Sequence, residues 1–324
     1  MVNKLVSIVL DIGARYGIHP SWKNFSGEKK FILLEPDIDE YKRLKAKYRI
    51  YKDIKIFNSG ISDKDEKIKL NIFNNPAMSS VLKRRNVSPL YWTIRNKQIK
   101  VKKKQIINCL SLDNFTKKNK LNVDFLKIDV EGMEPKILSK SNNIFKSLIG
   151  VRSEVSFSKI FNEKKNNYGT FLEIHKKLVD ENFVLLNFDY DGSGDYFSKF
   201  ISQRSKYGML QNTDAVWIKN LNDINNSNDP YKVLKLISFL LLNNAADLSL
   251  YLLEKNYKKY SNFKKFKKTK ILKFIKINIL AHFYNLKWVP GQNINEHRKF
   301  YQRIFKDKYL SESAYNENLK INPY

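Results

Sequence analysis

One cysteine, eight prolines and eleven glycines are spread over 324 residues. A single thiol, Cys109, leaves no disulfide framework and no Cys-rich zinc site. It is expected as a small buried hydrophobe in a reducing compartment. No apolar run reaches the roughly 20 residues that a membrane-spanning helix needs. The best, VLKLISFLLLNNAADLSLYLL from 233 to 253, is broken by Lys235, Asn243, Asn244 and Asp247. The opening MVNKLVSIVLDIGARYG is like a short signal peptide, but its apolar part runs into Asp11 without a small-residue cleavage site. It reads as a first strand, and the cytoplasm is the expected location. The four histidines, His19, His175, His282 and His297, show no ligand-pair spacing. His175, among lysines on a helix, is expected at the surface.

Acidic residues are also scarce. Asp and Glu number 32 against 60 Lys and Arg, a formal charge of +28. That excess permits attraction to nucleic acid, anionic lipid or acidic glycans. It is spread along the chain, however, and accompanies abundant Lys, Asn and Ile, the bias of AT-rich coding sequence, so charge alone selects no function. Apolar content of 42% and aromatic content of 13% suffice for a real core.

Apolar runs and helical patterns alternate over the first 220 residues. Strands are expected at 6–13, 31–37, 54–62, 67–73, 104–112, 123–130, 148–157, 183–189 and 213–219, with helices at 38–48, from about Pro135 onward, and at 170–181. This alternation predicts a largely parallel α/β sheet with its ligand at the carboxyl edge. LNDINNSNDP (221–230) reads as a linker, and 221–324 as a helical C-terminal region appended to a domain spanning 1–220. Tyr257, Tyr260, Phe263 and Phe266 recur every third residue among lysines in 257–276. That stripe suits packing on the main domain, or a peripheral contact with an anionic membrane.

D-I-G-A-R-Y-G, Asp11 to Gly17, follows the first strand, and Glu35 ends the second. Gly13 and Gly17 allow a tight strand-to-helix turn and close approach of backbone to a ligand. An acid about twenty residues on is placed to take ribose hydroxyls. Arg15 and Tyr16 stand where a dinucleotide fingerprint needs glycine, so a nucleoside ligand without a pyrophosphate, such as S-adenosylmethionine, fits better. In VDFLKIDVEG (123–132), Lys127, Asp129 and Glu131 fall at alternate positions of a buried strand. Unpaired buried charge is costly, so these three are expected at a wet functional cleft.

Together these stretches resemble the FkbM-type S-adenosylmethionine-dependent methyltransferases. The resemblance runs through DIGARYG (11–17), LEPD (34–37), NSGISD (58–63), MSSVL (78–82), LSLDNF (110–115), DFLKIDVEGMEPKIL (124–138) and EVSF (154–157), and spans about 10 to 220. It implies a Rossmann-like class I methyltransferase sheet, mostly parallel with an antiparallel last strand, followed here by a C-terminal helical extension. It further implies O-methyl transfer from S-adenosyl-L-methionine to a sugar hydroxyl of a glycan or glycoconjugate. Asp11, Gly13, Ala14, Gly17, Glu35, Pro36, Ser62, Asp63 and Asp129 are then the cofactor candidates. Asp129 or Glu131 is the candidate base, with Glu154 the third acid. His19, Ser79, Ser80, Lys127 and Arg152 are candidates for binding the acceptor, Arg152 also for an ion pair near Glu154. No spacing demands a metal, although Asp129, Glu131 and Glu154 offer oxygen ligands of the kind Mg²⁺ takes.

The segment from Lys83 to Lys104 carries nine Lys and Arg, no acid, and Tyr91 with Trp92 at its middle. It is a candidate clamp for an anionic acceptor. Two other readings compete. Ribose 2′-O-methylation of RNA suits the charge, whereas base methylation lacks its turn: Asn75-Pro76-Ala77 and Ser88-Pro89-Leu90 want a second proline. Nucleic acid is not the expected acceptor. A non-catalytic scaffold at an anionic membrane is the other, opposed by the intact Asp11, Gly13, Glu35, Asp129 and Glu131.

Overall fold

In the computed structural model, residues 6–22, 25, 28–83, 97–157, 170–189 and 212–257 are described. They fall into two compact units, one running to Asp229 and one from Pro230, with Phe25 in the second. The first unit is built on β1 (Ser7–Ile12), β2 (Lys29–Leu34), β3 (Ile54–Phe57), β7 (Phe125–Ile128), β8 (Gly150–Ser156), β9 (Phe183–Asp189) and β10 (Asn212–Lys219). These strands form one sheet in the order β3-β2-β1-β7-β8-β10-β9. Every pairing is parallel except those of β10, which runs antiparallel to β8 and β9. The expected mostly parallel sheet with an antiparallel last strand is thus observed.

The central strands are apolar for a physical reason. Val9, Leu10, Ile12, Leu33, Leu34, Phe125, Leu126 and Ile128 are all buried, as strands covered on both faces must be. Helices α1 (Ile38–Lys47), α2 (Leu112–Lys118), α3 (Glu134–Ser139) and α4 (Phe171–Asp180) connect the strands. Asp37 caps α1, its side chain accepting from the Asp39 amide, and Ser111 caps α2 through the Asn114 amide.

Three local expectations are corrected. The stretch 54–62 is not one strand: it breaks at Asn58–Ser59, and β4 (Gly60–Ser62) enters a second sheet, β4-β6-β5, with β5 (Glu66–Phe73) and β6 (Val101–Ser111). The break follows from Asn58, whose amide donates to the carbonyls of Glu35 and Pro36 and turns the chain across the tip of β2. The glycine loop leads into a single 3₁₀ turn, Pro20–Trp22, with no α-helix among the described residues between it and β2. And 221–226 is not linker but a helix, α5 (Leu221–Asn226), capped by Asn220 with Ile224 buried.

The second unit begins with α6 (Pro230–Leu242) and α7 (Ala246–Tyr257), which pack on each other. Every residue from Val233 to Leu241 is buried. The apolar run at 233–253 is divided by a turn at Asn243–Asn244, where Asn244 has φ 59°. Among the described residues no helix is long and apolar enough to cross a membrane. The aromatic stripe beyond Tyr257, His282 and His297 lie outside the described residues, as does most of the 83–104 segment.

Candidate functional site

The carboxyl ends of β1, β2 and β7 open on a cavity of about 510 Å³, the size of a small-molecule site. One wall is polar, built from the glycine loop, the tip of β2 and the turn after β7. The other is apolar, with Ile68, Leu70, Ile107 and Cys109 contributed by the three-stranded sheet. Burial pushes the Cys109 thiol up to about 12, so it serves there as the expected hydrophobe.

The glycine loop is tied to β2 by the amides of Gly13 and Ala14, which donate to the Leu34 carbonyl at 3.1 and 3.0 Å. Gly13 has φ +83°, and a Cβ on it would overlap the carbonyl oxygen of Asp129. Only glycine lets the turns after β1 and β7 come this close. At the tip of β2, Glu35 is buried, and its Oε1 accepts the Asp37 amide at 2.8 Å. Burial raises its carboxyl to about 7, against the lowering effect of that hydrogen bond and of Arg15. Arg15 itself pairs with Asp37 at 2.9 Å.

Beyond Ile128 the chain stops being a strand, and the alternation that put Lys127, Asp129 and Glu131 on one face ends. All three still line the cavity, because a pinned turn replaces the strand. Glu131 and Gly132 both take left-handed backbone, φ 58° and 103°. The buried carboxylate of Glu134 accepts the Val130 amide at 2.6 Å and the Gly132 amide at 2.9 Å. Ser80 Oγ donates to the Glu131 carbonyl at 2.7 Å. A non-glycine residue held left-handed costs on the order of 1–3 kcal/mol and persists where its surroundings over-determine it. Glu134 was not among the residues singled out from sequence. The signal was there: an acid in the first turn of α3, before Pro135, is placed to reach back to free amides.

Beneath this turn lies a charge network. Lys127 is buried, with Nζ 3.1 Å from Asp129 Oδ2 and 3.6 Å from Asp11 Oδ1. Burial opposes its charge, but Asp129, Asp11 and Asp214 outweigh that and raise its pKa. Asp11 is fully buried, and neither of its oxygens accepts a hydrogen bond within ordinary geometry from the described residues. Burial raises its pKa, while Lys127 and the nearby His19 amide pull it back. Across the site, Arg152 donates to Asp214 at 2.7 Å rather than pairing with Glu154. His19 Nε2 stands 4.0 Å from the same Asp214, with Nδ1 2.8 Å from Ser21 Oγ. Burial, Lys127 and Arg152 lower the His19 pKa, keeping the ring neutral at pH 7. Glu154 accepts from Asn212 at 3.0 Å, and burial, Glu131 and Asp129 push its carboxyl far up.

The predicted residues therefore separate. Gly13, Ala14, Gly17, Glu35, Pro36 and Asp129 line the cavity, as do Glu131, His19, Ser79 and Lys127. Asp11, Arg152 and Glu154 are not lining residues and act on the wall through partners. Ser62 and Asp63 are also off the wall: Ser62 donates to Asp63 and Glu66, and Asp63 pairs with Lys136. Ser80 holds the Glu131 turn. The acids that converge are Asp129, Glu134 and Glu154, with an oxygen of each within 4.8 Å of the others; Glu131 is not the third member. His175 is no surface histidine, since Trp217 Nε1 donates to it at 3.2 Å and Phe171 stacks on it.

The family model for the methyltransferase FkbM domain matches residues 11–185, from Asp11 into the strand that follows α4. The chain belongs to the FkbM methyltransferase family. Similar solved structures include the FkbM methyltransferase from Methylobacillus flagellatus, at 10% identity and a TM-score of 0.39 over 66% of this chain and 44% of that one. This chain therefore spans less than half the length of that relative. The precorrin-6y C5,15-methyltransferase from Geobacter metallireducens aligns at 9% identity and a TM-score of 0.34, covering 67% and 84%. The B. subtilis m1A22 tRNA methyltransferase aligns at 11% and 0.29, covering 97% and 91%. No curated protein matches the sequence.

The methyl donor of the FkbM family is S-adenosylmethionine, and the wall suits it. The cradle that a Cβ on Gly13 would close, the buried acceptor Glu35 at the tip of β2, and the apolar wall of Ile61, Ile68, Leu70 and Ile107 match a nucleoside. Arg15, Lys127 and Asp129 supply both charge signs for an amino acid portion.

Glu35 gives this site a pH signature. Its carboxyl goes from an ordinary 4.5 to about 7 in the folded chain. Its contribution to stability is therefore complete below about pH 4.5 and is lost as pH rises through about 7. Accepting ribose hydroxyls favours the ionised form, so donor affinity should rise over the same interval. Calorimetric titration of the donor between pH 5.5 and 8.5 should show tighter binding at the alkaline end, a trend that Glu35→Gln removes. A pH-independent affinity would contradict this role.

Proposed function

We propose that this FkbM-family protein is an O-methyltransferase acting on a sugar hydroxyl of a glycan or glycoconjugate. The observation that carries the reading is the pinned turn Asp129–Gly132. It sets two carboxylates on the cavity wall beside a buried lysine. Bound S-adenosylmethionine supplies an electrophilic methyl group on a sulfonium centre. A sugar hydroxyl is a poor nucleophile, and a carboxylate within hydrogen-bond reach lowers the barrier by taking its proton. Holding the hydroxyl in line supplies most of the remaining acceleration.

Of the two candidates, Glu131 suits the proton-accepting role better. Asp129 Oδ2 already accepts from Lys127 Nζ at 3.1 Å, so that oxygen is committed to the lysine. Glu131 sits on strained backbone held from both sides, as expected where function fixes the geometry. Asp129 and Lys127 then form the charged floor of the site. Gly13, Ala14, Gly17, Glu35 and Pro36 hold the nucleoside, while His19 and Ser79 face the acceptor. Carboxylates, a neutral imidazole and a hydroxyl are groups that hydrogen-bond sugar hydroxyls.

The test is transfer of labelled methyl from S-adenosylmethionine in an extract lacking the protein, with products split into glycan, lipid, RNA and protein. Protein-dependent label is expected in glycan or glycolipid. Label confined to RNA would replace this reading with ribose 2′-O-methylation.

A further inference from the structure

The inner face of the β5–β6 ribbon lines the cavity; its outer face is covered by no described element. On that face Lys67 lies opposite Asn108, Lys69 opposite Ile106, and Asn71 opposite Lys104. Lys67, Lys69, Lys104 and Asn108 are exposed, and Ile106 is 69% exposed. Lys102, exposed at the register shift opposite Ile72 and Phe73, extends the patch. The face carries no acid. Lys103, on the opposite face, pairs with Asp39, whereas no acidic partner is recorded for these four lysines among the described residues. Successive lysines on one strand stand two residues apart, about 7 Å, within a Debye length at physiological salt. Four such charges repel one another, and a folded protein keeps them together at a cost that an anionic partner relieves.

We propose that the outer face of the β5–β6 ribbon docks on an anionic phospholipid surface. Three features select a bilayer over other polyanions. The face is an open ribbon surface, which meets a planar partner over its whole area. It presents lysines, whose long stems lay charge on headgroups, and lacks the arginines and aromatics that read or stack on nucleic acid. Ile106 stands among them, opposite Lys69 and two residues from Lys104. A lone exposed isoleucine needs no explanation, but one flanked by lysines can enter the headgroup layer. The inference is independent of which acceptor is methylated, and places the cavity on the ribbon's other face.

The test is co-sedimentation of the full chain with vesicles of phosphatidylglycerol and phosphatidylcholine, against phosphatidylcholine alone. K67E/K69E/K102E/K104E is compared with K42E/K52E/K55E/K140E, which removes equal charge from exposed sites elsewhere. The ribbon variant should lose about a hundredfold or more in partitioning onto the anionic vesicles, and the control far less. Ile106→Asp alone should weaken binding measurably. Unchanged circular dichroism and donor affinity show that the ribbon variant is folded. Equal loss in both charge variants, or none in the ribbon variant, would overturn the proposal. Loss of duplex RNA binding equal to the loss of vesicle binding would also overturn it, by making the face a general polyanion site.

Discussion

Glu131→Gln is expected to lower the rate of methyl transfer by roughly 10²–10⁴-fold, the usual share of a positioned base, while donor affinity stays within a few-fold. Glutamine keeps the size and the left-handed backbone but cannot take a proton. The loss should therefore fall on the transfer step, read as a single-turnover rate on the labelled fraction with saturating donor. Asp129→Asn separates the two carboxylates. It removes the nearer of the two carboxylates that pair with Lys127, so it should disturb donor binding and transfer together. If Glu131→Gln transfers at the native rate and only Asp129→Asn fails, the base is Asp129 and the roles proposed above are reversed. Glu134→Gln sharpens the comparison. The glutamine places an N–H₂ against either the Val130 or the Gly132 amide, so one of the two pins at 2.6 and 2.9 Å is lost. A loosened turn lets Glu131 relax, and about tenfold is expected from the transfer rate, with the donor dissociation constant little changed. A tenfold loss in donor affinity with normal transfer would instead make the turn a cofactor element.

What was legible in the sequence divides along physical lines. β1, β2, β7 and β8 announced themselves because strands buried on both faces must be apolar nearly throughout, and the glycine loop because positive φ excludes most other residues. Glu35 was found by spacing, since a strand-loop-strand unit has a fixed length. Two of the misses share one cause: they depend on partners distant in the chain. Nothing local says that Asn58 ends a strand by donating to the carbonyls of Glu35 and Pro36, or that Arg152, two residues from Glu154, donates to Asp214 instead. Period-two counting correctly set Lys127 beside Asp129. It reached Glu131 for the wrong reason, because the strand ends at Ile128 and a left-handed turn brings Glu131 to the wall. Asp11 is the reverse case. It was expected to touch the cofactor, and the structure gives it a place under the wall, where its effect passes through Lys127.

That arrangement makes Lys127→Met the most damaging change for the fold. Lys127 is the cation recorded against both Asp11 and Asp129, and removing one partner of a buried ion pair typically costs about 3–5 kcal/mol because the other charge is left uncompensated. The cost has a direction in pH. Burial raises the Asp11 carboxyl above its ordinary value, and without Lys127 the larger of the lowering influences on it is gone, so the native state favours protonated Asp11 still more strongly. A raised carboxyl contributes stability that is complete below its unfolded pKa and is lost as pH rises through the folded value. Lys127→Met should therefore be mild at pH 5 and severe at pH 8, read as the urea midpoint of unfolding of the first unit at each pH. Pairing it with Asp11→Asn tests the cause. Asparagine carries no charge at any pH, so the double variant should recover much of the stability at pH 8 and flatten the pH dependence, although transfer stays impaired because Asp129 has lost its counter-charge. A double variant as unstable at pH 8 as Lys127→Met alone would show that the uncompensated charge of Asp11 is not the cause of the loss.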